Sequence, residues 1–433
     1  MNYNGCEVEI GALMKYQRNR TLIILISLVF IAGLLAGLTW ANYQFSKEYP
    51  GGISFNKYWT GMRLLISEGQ SPYSEDIGIE TQTQEQLFGY LNDSQPSRFA
   101  NPLYSIIIFI PFSLINDYIL ARALWMTLLE ISLFVTVIVT LRFCKWKTGL
   151  TGSIIYMLLA FPAYFSVRAL ISGDVILITG LFFSVGIWAI LKGEDELAGV
   201  MFALTTIKPQ FGILLAIFLI FWTVNQQRYK YILWFVISIS FLTAVTILIK
   251  PGWILEFIQA NIVNFGITGF YNSAAMLKEI FPGFGIRLGW ILSAGVLATL
   301  TFEWVKAKKY DSKKMLWLIC ATLAGGALAG FSAPAESLVL LLPAVILLSE
   351  ITLEWRKGGS LIVYTLFLFI YLAIPWYAIL STLEMGSTGV EKIVIFTLLL
   401  VILILFFWNR HWLMSSVKPL YDVLEPEKFS RKK

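Results

Sequence analysis

The sequence predicts an all-α, polytopic membrane protein with about a dozen transmembrane helices and a long extracytoplasmic first loop. Of its 433 residues, 57% are hydrophobic and 14% are charged, whereas soluble domains carry about 25% charged residues. Uncharged runs such as 22–44, 231–249 and 393–408 approach the ~20 residues that cross a bilayer as a helix. These runs do not alternate apolar and polar residues, which favours helices over the strands of a membrane barrel.

The distribution of charge argues against a nucleic-acid partner, although the net charge is +6. Lysine and arginine cluster in short loops between apolar runs, where they set membrane orientation. Cys6, Cys144 and Cys320 have no motif spacing, so no disulfide framework is expected. The single histidine, His411, lies in the basic tail, and we predict no histidine-based metal site.

The N-terminus is predicted to be cytoplasmic, because Lys15, Arg18 and Arg20 precede the first apolar run. That run is too long for the apolar core of a signal peptide and lacks a small-residue cleavage pattern, so we expect it to stay as an anchor. The polar, acid-rich segment 45–117 is then extracytoplasmic.

The stretch 102–115 decides the orientation of all later helices. Three basic residues follow the next apolar run: Arg142, Lys145 and Lys147. They would lie outside if 102–115 crossed the membrane, against the positive-inside tendency. Its short length, Pro102 and Pro111 favour a segment that lies along the outer interface or re-enters. Both termini are then cytoplasmic, in a multi-pass protein of the cell's inner (plasma) membrane.

The predicted spans are 22–44, 118–141, 150–168, 174–192, 196–207, 210–223, 231–249, 285–305, 315–331, 336–351, 360–381 and 390–408. The corresponding division is a cytoplasmic N-terminus (1–21), a first transmembrane helix (22–44), an extracytoplasmic loop with interfacial helices (45–117), a membrane module (118–249), a second extracytoplasmic loop (250–284), C-terminal transmembrane helices (285–408) and a basic cytoplasmic tail (409–433).

Two further predictions concern single segments of this division. The short spans 196–207 and 210–223 are predicted to be a pair broken at Lys208-Pro209, since proline removes a donor and clashes with the preceding turn. A helix at 58–68 is predicted to lie on the membrane, with Met62, Leu65 and Ile66 near one face.

Five charged residues lie in or beside apolar segments toward the outer face: Arg122, Arg168, Asp174, Lys208 and Glu336. Each costs about 2.5–3.5 kcal/mol on insertion scales unless it is paired or hydrated. Their convergence on the face that carries the polar loop predicts a functional site there. Lys208, at a helix break, is the strongest candidate to bind an anionic phosphate.

Structural explanations compete with this one. Arg122 and Arg168 can snorkel to lipid headgroups. Asp174 follows Ser172-Gly173 and can cap the next helix. Glu336 follows Pro334 and can be a helix N-terminal acid that the dipole favours.

A series of short motifs runs in order along about residues 20–350. In the first loop they are Ser54-Phe55, Tyr58-Trp59, Gly61-Met62-Arg63-Leu64-Leu65, Glu68-Gly69 and Ser71-Pro72-Tyr73. Beyond it they are Asn101-Pro102-Leu103-Tyr104, Ala121-Arg122-Ala123-Leu124-Trp125, Ser172-Gly173-Asp174, Leu197-Ala198-Gly199, Ile207-Lys208-Pro209-Gln210, Ser332-Ala333-Pro334 and Leu342-Pro343. Together they resemble family 87 glycosyltransferases, polytopic bacterial enzymes of the GT-C class.

The resemblance implies a GT-C-like helical bundle that transfers a hexose, mannose or a related sugar, with inversion. The donor would be a polyprenyl-phosphate sugar in the membrane lipid, and the acceptor an extracytoplasmic glycan, glycolipid or protein. It implies donor-phosphate contacts from Lys208, Arg122, Arg168 and Gln210. It implies a substrate cavity bordered by Tyr58, Trp59, Asn101 and Glu336. Many enzymes of the class need a divalent ion and others do not, and this chain shows no ligand cluster that decides it.

One departure from the family concerns the catalytic base. The family carries an aspartate in the first loop to deprotonate the acceptor hydroxyl, and Ser54 stands at that position. A serine cannot act as the base. Glu48, close after the first span, ranks first as a substitute and Asp174 second, ahead of Glu68, Glu75 and Asp76.

Two other functions remain open at this stage. A non-catalytic GT-C-like subunit of a membrane complex would explain Ser54. A lipid-linked sugar transporter would share the broken helices and basic sites. It would, however, need gates on both membrane faces, whereas the charged residues singled out here favour one face.

Overall fold

The computed structural model describes residues 4–87, 98–144, 149–268, 273–330, 335–355, 369, 371–377, 380 and 388–414. All regular elements in this part of the chain are helices. They are α1 (Asn4–Glu48), α2 (Ile53–Glu68), α3 (Glu75–Leu87), α4 (Ile106–Ser113), α5 (Tyr118–Phe143), α6 (Gly149–Ala160), α7 (Tyr164–Ser172), α8 (Ile176–Lys192), α9 (Asp195–Thr205), α10 (Pro209–Asn225), α11 (Tyr229–Ile249), α12 (Trp253–Thr268), α13 (Ser273–Ile280), α14 (Gly285–Lys306), α15 (Ser312–Ala329), α16 (Leu342–Trp355) and α17 (Thr388–Met414).

Five helical stretches among the described residues are long and apolar enough to cross a bilayer. They are Thr21–Glu48, Tyr118–Phe143, Tyr229–Ile249, Gly285–Lys306 and Ile393–Arg410. This confirms the all-helical, polytopic class. The full set of about a dozen spans stays a prediction, and most of the predicted span 360–381 falls outside the described residues, as do Lys145, Lys147 and Ser332-Ala333-Pro334.

Two predicted straight spans are interrupted. The span predicted at 150–168 consists of α6 and α7, whose axes meet at 57°, because Pro162 between them has no N–H to continue the helical hydrogen bonds. The span predicted at 336–351 starts as a 3₁₀ turn, Ala335–Leu341, and becomes α-helical at α16. Pro343 lies in the first turn of α16, where its fixed φ is tolerated.

The break at Lys208-Pro209 lies where the sequence predicts it. Helix α9 ends at Thr205 and α10 begins at Pro209, with Lys208 between them in a non-helical conformation (φ −124°, ψ 80°). Proline at the first helical position loses no hydrogen bond, since that N–H has no partner within the helix. The backbone therefore presents the Lys208 side chain at the junction of two apolar helices.

The first loop packs against the helical bundle. Met62 and Leu65 of α2 are buried in protein, whereas Ile66 is 46% exposed, so the prediction that all three share a membrane-facing surface is wrong. The α2 face that carries Tyr58 instead stacks on Phe109 of α4, with ring centroids 4.3 Å apart. The segment Leu103–Ser113 that includes α4 is too short to cross a bilayer, in agreement with an interfacial or re-entrant segment.

Helix α5 lies at the centre of the N-terminal half. Asn42 of α1 donates hydrogen bonds to Thr127 (3.1 Å) and Glu130 (2.9 Å) of α5. On its other side α5 packs along α8, and α8 packs on α9. Helix α9 meets α11 closely at Gly199, where a Cβ atom would lie 2.6 Å from the carbonyl oxygen of Tyr231. The N-terminal ends of α5 and α8 lie side by side, since Trp125 near the start of α5 donates a hydrogen bond to the carbonyl of Gly173 just before α8.

Cysteine labelling tests the predicted orientation. In a background with Cys6, Cys144 and Cys320 replaced by alanine, Lys278→Cys and Lys308→Cys each place one thiol at an exposed position. A membrane-impermeant maleimide should label Lys278→Cys in intact cells and Lys308→Cys only after permeabilisation. The reverse pattern would invert the predicted topology.

Candidate active site

The turn between α7 and α8 forms one wall of the site. Helix α7 ends at Gly173, which adopts the left-handed conformation with φ +70°, and a Cβ atom there would lie 2.5 Å from the Cβ of Phe55 in α2. The indole N–H of Trp125 in α5 donates to the Gly173 carbonyl at 2.8 Å. Glycine therefore allows α2 to contact this turn directly, and the contact brings Ser54 beside Asp174.

Asp174 and Lys208 form a buried ion pair. Nζ of Lys208 lies 2.6 Å from both carboxylate oxygens, and the side chains are 6% and 9% exposed, respectively. Asp174 also accepts a hydrogen bond at 2.8 Å from the backbone N–H of Ile176, the first residue of α8, although Val175 rather than Asp174 occupies the N-cap position. This hydrogen bond and the ion pair occur together, and removing one partner of the pair would leave an uncompensated buried charge.

Residues of α2 complete this cluster. The Ser54 hydroxyl donates to Oδ2 of Asp174 at 3.4 Å. One turn later, the buried Tyr58 hydroxyl lies beside the Asn101 amide and the backbone of Val175. Burial, and secondarily the Asp174 carboxylate, raise the pKa of Tyr58 above its ordinary value. Tyr58 therefore remains a neutral hydroxyl that can donate a hydrogen bond to an anionic ligand.

A second ion pair lies close to the first. Nε of Arg168 is 2.8 Å from Oε1 of Glu336, and its NH1 donates to the Tyr164 hydroxyl at 2.6 Å. Glu336 is near enough to Lys208 to interact with it electrostatically. Its Oε2 is buried and accepts no hydrogen bond from the described residues. The ion pair therefore joins Glu336 to α7, an interaction that its explanation as a helix N-terminal acid does not include.

Arg122 has a different environment from the one predicted. Its side chain is buried and donates to the backbone carbonyls of Tyr49 and Ile171. Snorkelling to lipid is therefore wrong for Arg122. These bonds join α5 to the end of α1 and to α7, so the residue supports the site through the backbone, and phosphate contact by Arg122 remains a prediction.

The other predicted residues lie around the cluster. Trp59 donates its indole N–H to the Ile115 carbonyl (3.2 Å) and packs edge-on against Tyr118. Gln210 is half-buried in the first turn of α10, and Glu48 is exposed at the last residue of α1. Of the lower-ranked acids, Glu68 accepts from Gln70, Glu75 pairs with Arg98 and Asp76 is exposed.

Two tyrosines were missed as site residues by the sequence analysis. Tyr164 lies four residues before Arg168, a spacing that places both on one helix face and that could have suggested the pair. Tyr104 donates to the Thr206 hydroxyl (2.8 Å) and carbonyl (3.0 Å), which holds the turn that precedes Lys208. No local spacing relates residues so far apart in the chain. Over the described residues, no group of three or more His, Cys, Asp or Glu side chains is placed to hold a metal ion.

A pair of glycine variants tests whether the α2 contact organises the site. Gly173 and Gly69 have nearly the same φ, +70° and +68°, but nothing lies within 4 Å of a Cβ added at Gly69. Gly69→Ala should cost only the left-handed strain of about 1–2 kcal/mol, whereas Gly173→Ala should add about 1–3 kcal/mol of overpacking. Unfolding by SDS in mixed micelles measures both, and equal losses would contradict a tight α2 contact.

Comparison with known proteins identifies the family of this chain. A search of curated proteins gave no significant match. The family model described as glycosyltransferase family 87 matches residues 99–335, more than half of the 433 residues. The matched segment contains Asn101, Arg168, Asp174 and Lys208 and stops just before Glu336. The first-loop motif with Ser54 lies outside it. On this match, the chain belongs to glycosyltransferase family 87, a family of membrane glycosyltransferases.

Proposed function

We propose that this protein transfers a hexose, mannose or a related sugar, from a polyprenyl-phosphate donor to an extracytoplasmic acceptor, with inversion at the anomeric carbon. The acceptor is a glycan, a glycolipid or a protein, and the enzyme works in the inner (plasma) membrane of the cell. The observation that carries the proposal is the buried Lys208–Asp174 pair, held at a helix break and contacted by Ser54 of the first loop.

The proposed role of Lys208 is to bind the donor phosphate. A lysine at this depth is costly unless an anion neutralises it, and Asp174 supplies that anion within the protein. A bound phosphate would compete for the same ammonium group and stabilise it in the same way. The charge that develops on the departing phosphate monoester would then be stabilised by Lys208 and by the nearby Arg168.

We propose Asp174 as the catalytic base and rank it above Glu48, the candidate that the sequence alone placed first. When phosphate takes Lys208, the Asp174 carboxylate is released to accept the proton of the acceptor hydroxyl. The acceptor oxygen forms its bond to the anomeric carbon as the bond from that carbon to the phosphate oxygen breaks. Ser54, hydrogen-bonded to Asp174, orients the carboxylate. Glu48 is exposed at the end of α1 and lacks this anchoring, so it ranks second.

Transfer assays with matched carboxylate variants test the base. Asp174→Asn should lower turnover by about 10²–10⁴-fold, the usual contribution of a positioned general base, whereas Glu48→Gln should leave turnover unchanged. The assay measures transfer of radiolabelled sugar from polyprenyl-phosphate donor in membranes with equal amounts of folded protein. Loss in Glu48→Gln with activity retained in Asp174→Asn would assign the base to Glu48.

Donor binding has its own test. Lys208→Met should raise the KM for the polyprenyl-phosphate donor and lower turnover, because the phosphate loses its cation in both the ground state and the transition state. Lys278→Met removes an exposed lysine on α13 and is the matched control. Unchanged kinetics in Lys208→Met would remove the lysine from the donor site.

A non-catalytic subunit of a membrane complex is the second candidate, and Ser54 is the observation that favours it. If the natural chain is active through Asp174, Ser54→Asp should lower activity, since two adjacent carboxylates would compete for one ammonium group. Ser54→Ala is the control that removes only the hydroxyl. An inactive natural chain that gains activity on Ser54→Asp would instead identify an enzyme that has lost its base.

A further inference from the structure

A cavity lies at the opposite end of the helices that build the site. Helices α5 and α8 both start beside the Asp174 turn and run in the same direction, and the 17 residues of α8 span about 25 Å at 1.5 Å per residue. At their C-terminal ends, the cavity of about 320 Å³ is also bordered by the start of α15 and by α16. The charge pattern of the loops assigns this end to the cytoplasm.

The cavity carries an excess of positive charge from three different helices. Arg142 lies in the last turn of α5, Lys192 is the last residue of α8 and Lys313 lies in the first turn of α15. One carboxylate, Glu350 of α16, also lines it, and its Oε1 lies 3.7 Å from Nζ of Lys313. Among the described residues that line the cavity, one acid against three cations leaves two positive charges. Arg142 and Lys192 are exposed at the rim, where an incoming anion can reach them.

The other described lining residues are mostly apolar, with Ser312 as a polar exception. They include Trp188 and Leu191 of α8 and Leu316 of α15. Small-molecule sites measure about 300–1,000 Å³, so this cavity is at the small end and suits a headgroup better than a nucleotide. Basic cavities between transmembrane helices on the cytoplasmic side are suited to anionic lipid headgroups, and a tryptophan ring prefers the level of the bilayer interface.

We infer that this cavity binds the phosphate headgroup of an anionic phospholipid from the cytoplasmic leaflet. The phosphate lies between Arg142, Lys192 and Lys313, and the acyl chains leave along the apolar wall. Because these residues are separate from Asp174 and Lys208, the inference does not depend on the proposed transfer reaction.

Thermal unfolding of the full-length protein in uncharged detergent tests the inference. Dioleoyl phosphatidylglycerol should raise the midpoint in a saturable manner, and dioleoyl phosphatidylcholine, at equal concentration, should raise it less. In Arg142→Gln and Lys192→Gln the apparent affinity for phosphatidylglycerol should fall about fivefold per cation removed. Lys308→Gln removes an exposed lysine of the same face that does not line the cavity and should bind like wild type.

Three results would overturn the assignment. They are an equal effect of both lipids on wild type, an unchanged phosphatidylglycerol affinity in both single variants, and full stabilisation by inorganic phosphate alone. Both substituted side chains are exposed, so the variants should unfold at the wild-type midpoint without lipid, which separates lost binding from lost folding.

Discussion

The Lys208–Asp174 ion pair is the interaction on which the candidate site of this protein depends. Lys208 is fixed by the turn between α9 and α10, Asp174 by the turn between α7 and α8, and the contact of α2 with Gly173 encloses the pair. Each charge would be costly alone in an apolar environment. The pair and the α2 contacts therefore join three segments that are distant in sequence.

The position of a carboxylate in space matters more for acid–base chemistry than the segment that supplies it. Ser54 stands where the family resemblance expects a first-loop aspartate, and its hydroxyl contacts Asp174. A carboxylate from the neighbouring turn therefore occupies the space beside that loop position. This arrangement makes the loss of the first-loop acid compatible with an active enzyme, because the carboxylate and the ammonium group that the proposed reaction requires remain adjacent.

The sequence predicted what depends on local chemistry. The long apolar runs predicted the first and last residues of α5, α11 and α14 almost to the residue, because a bilayer-spanning helix needs only length and low polarity. The dipeptide Lys208-Pro209 predicted the break between α9 and α10, since proline cannot continue a helix. The prediction failed where partners are far apart. The sequence around Arg168 does not predict its ion pair with Glu336. The sequence around Arg122 likewise does not predict its hydrogen bonds to the carbonyls of Tyr49 and Ile171. The same reason explains why Met62 and Leu65 face protein.

The cationic side chains at the two ends of α5 and α8 are neutralised in different ways. At the end that holds the candidate site, two cations have internal carboxylates, Asp174 for Lys208 and Glu336 for Arg168, and Arg122 binds backbone carbonyls. The proposed anionic donor is present only during turnover, and a buried cation left alone between turnovers would destabilise the fold. At the other end, Arg142 and Lys192 are exposed, and on our inference an anionic leaflet supplies counter-charge continuously. On the two proposals, internal acids are therefore needed where the ligand is transient, whereas one acid among the described lining residues accompanies three cations where the proposed ligand is a membrane lipid.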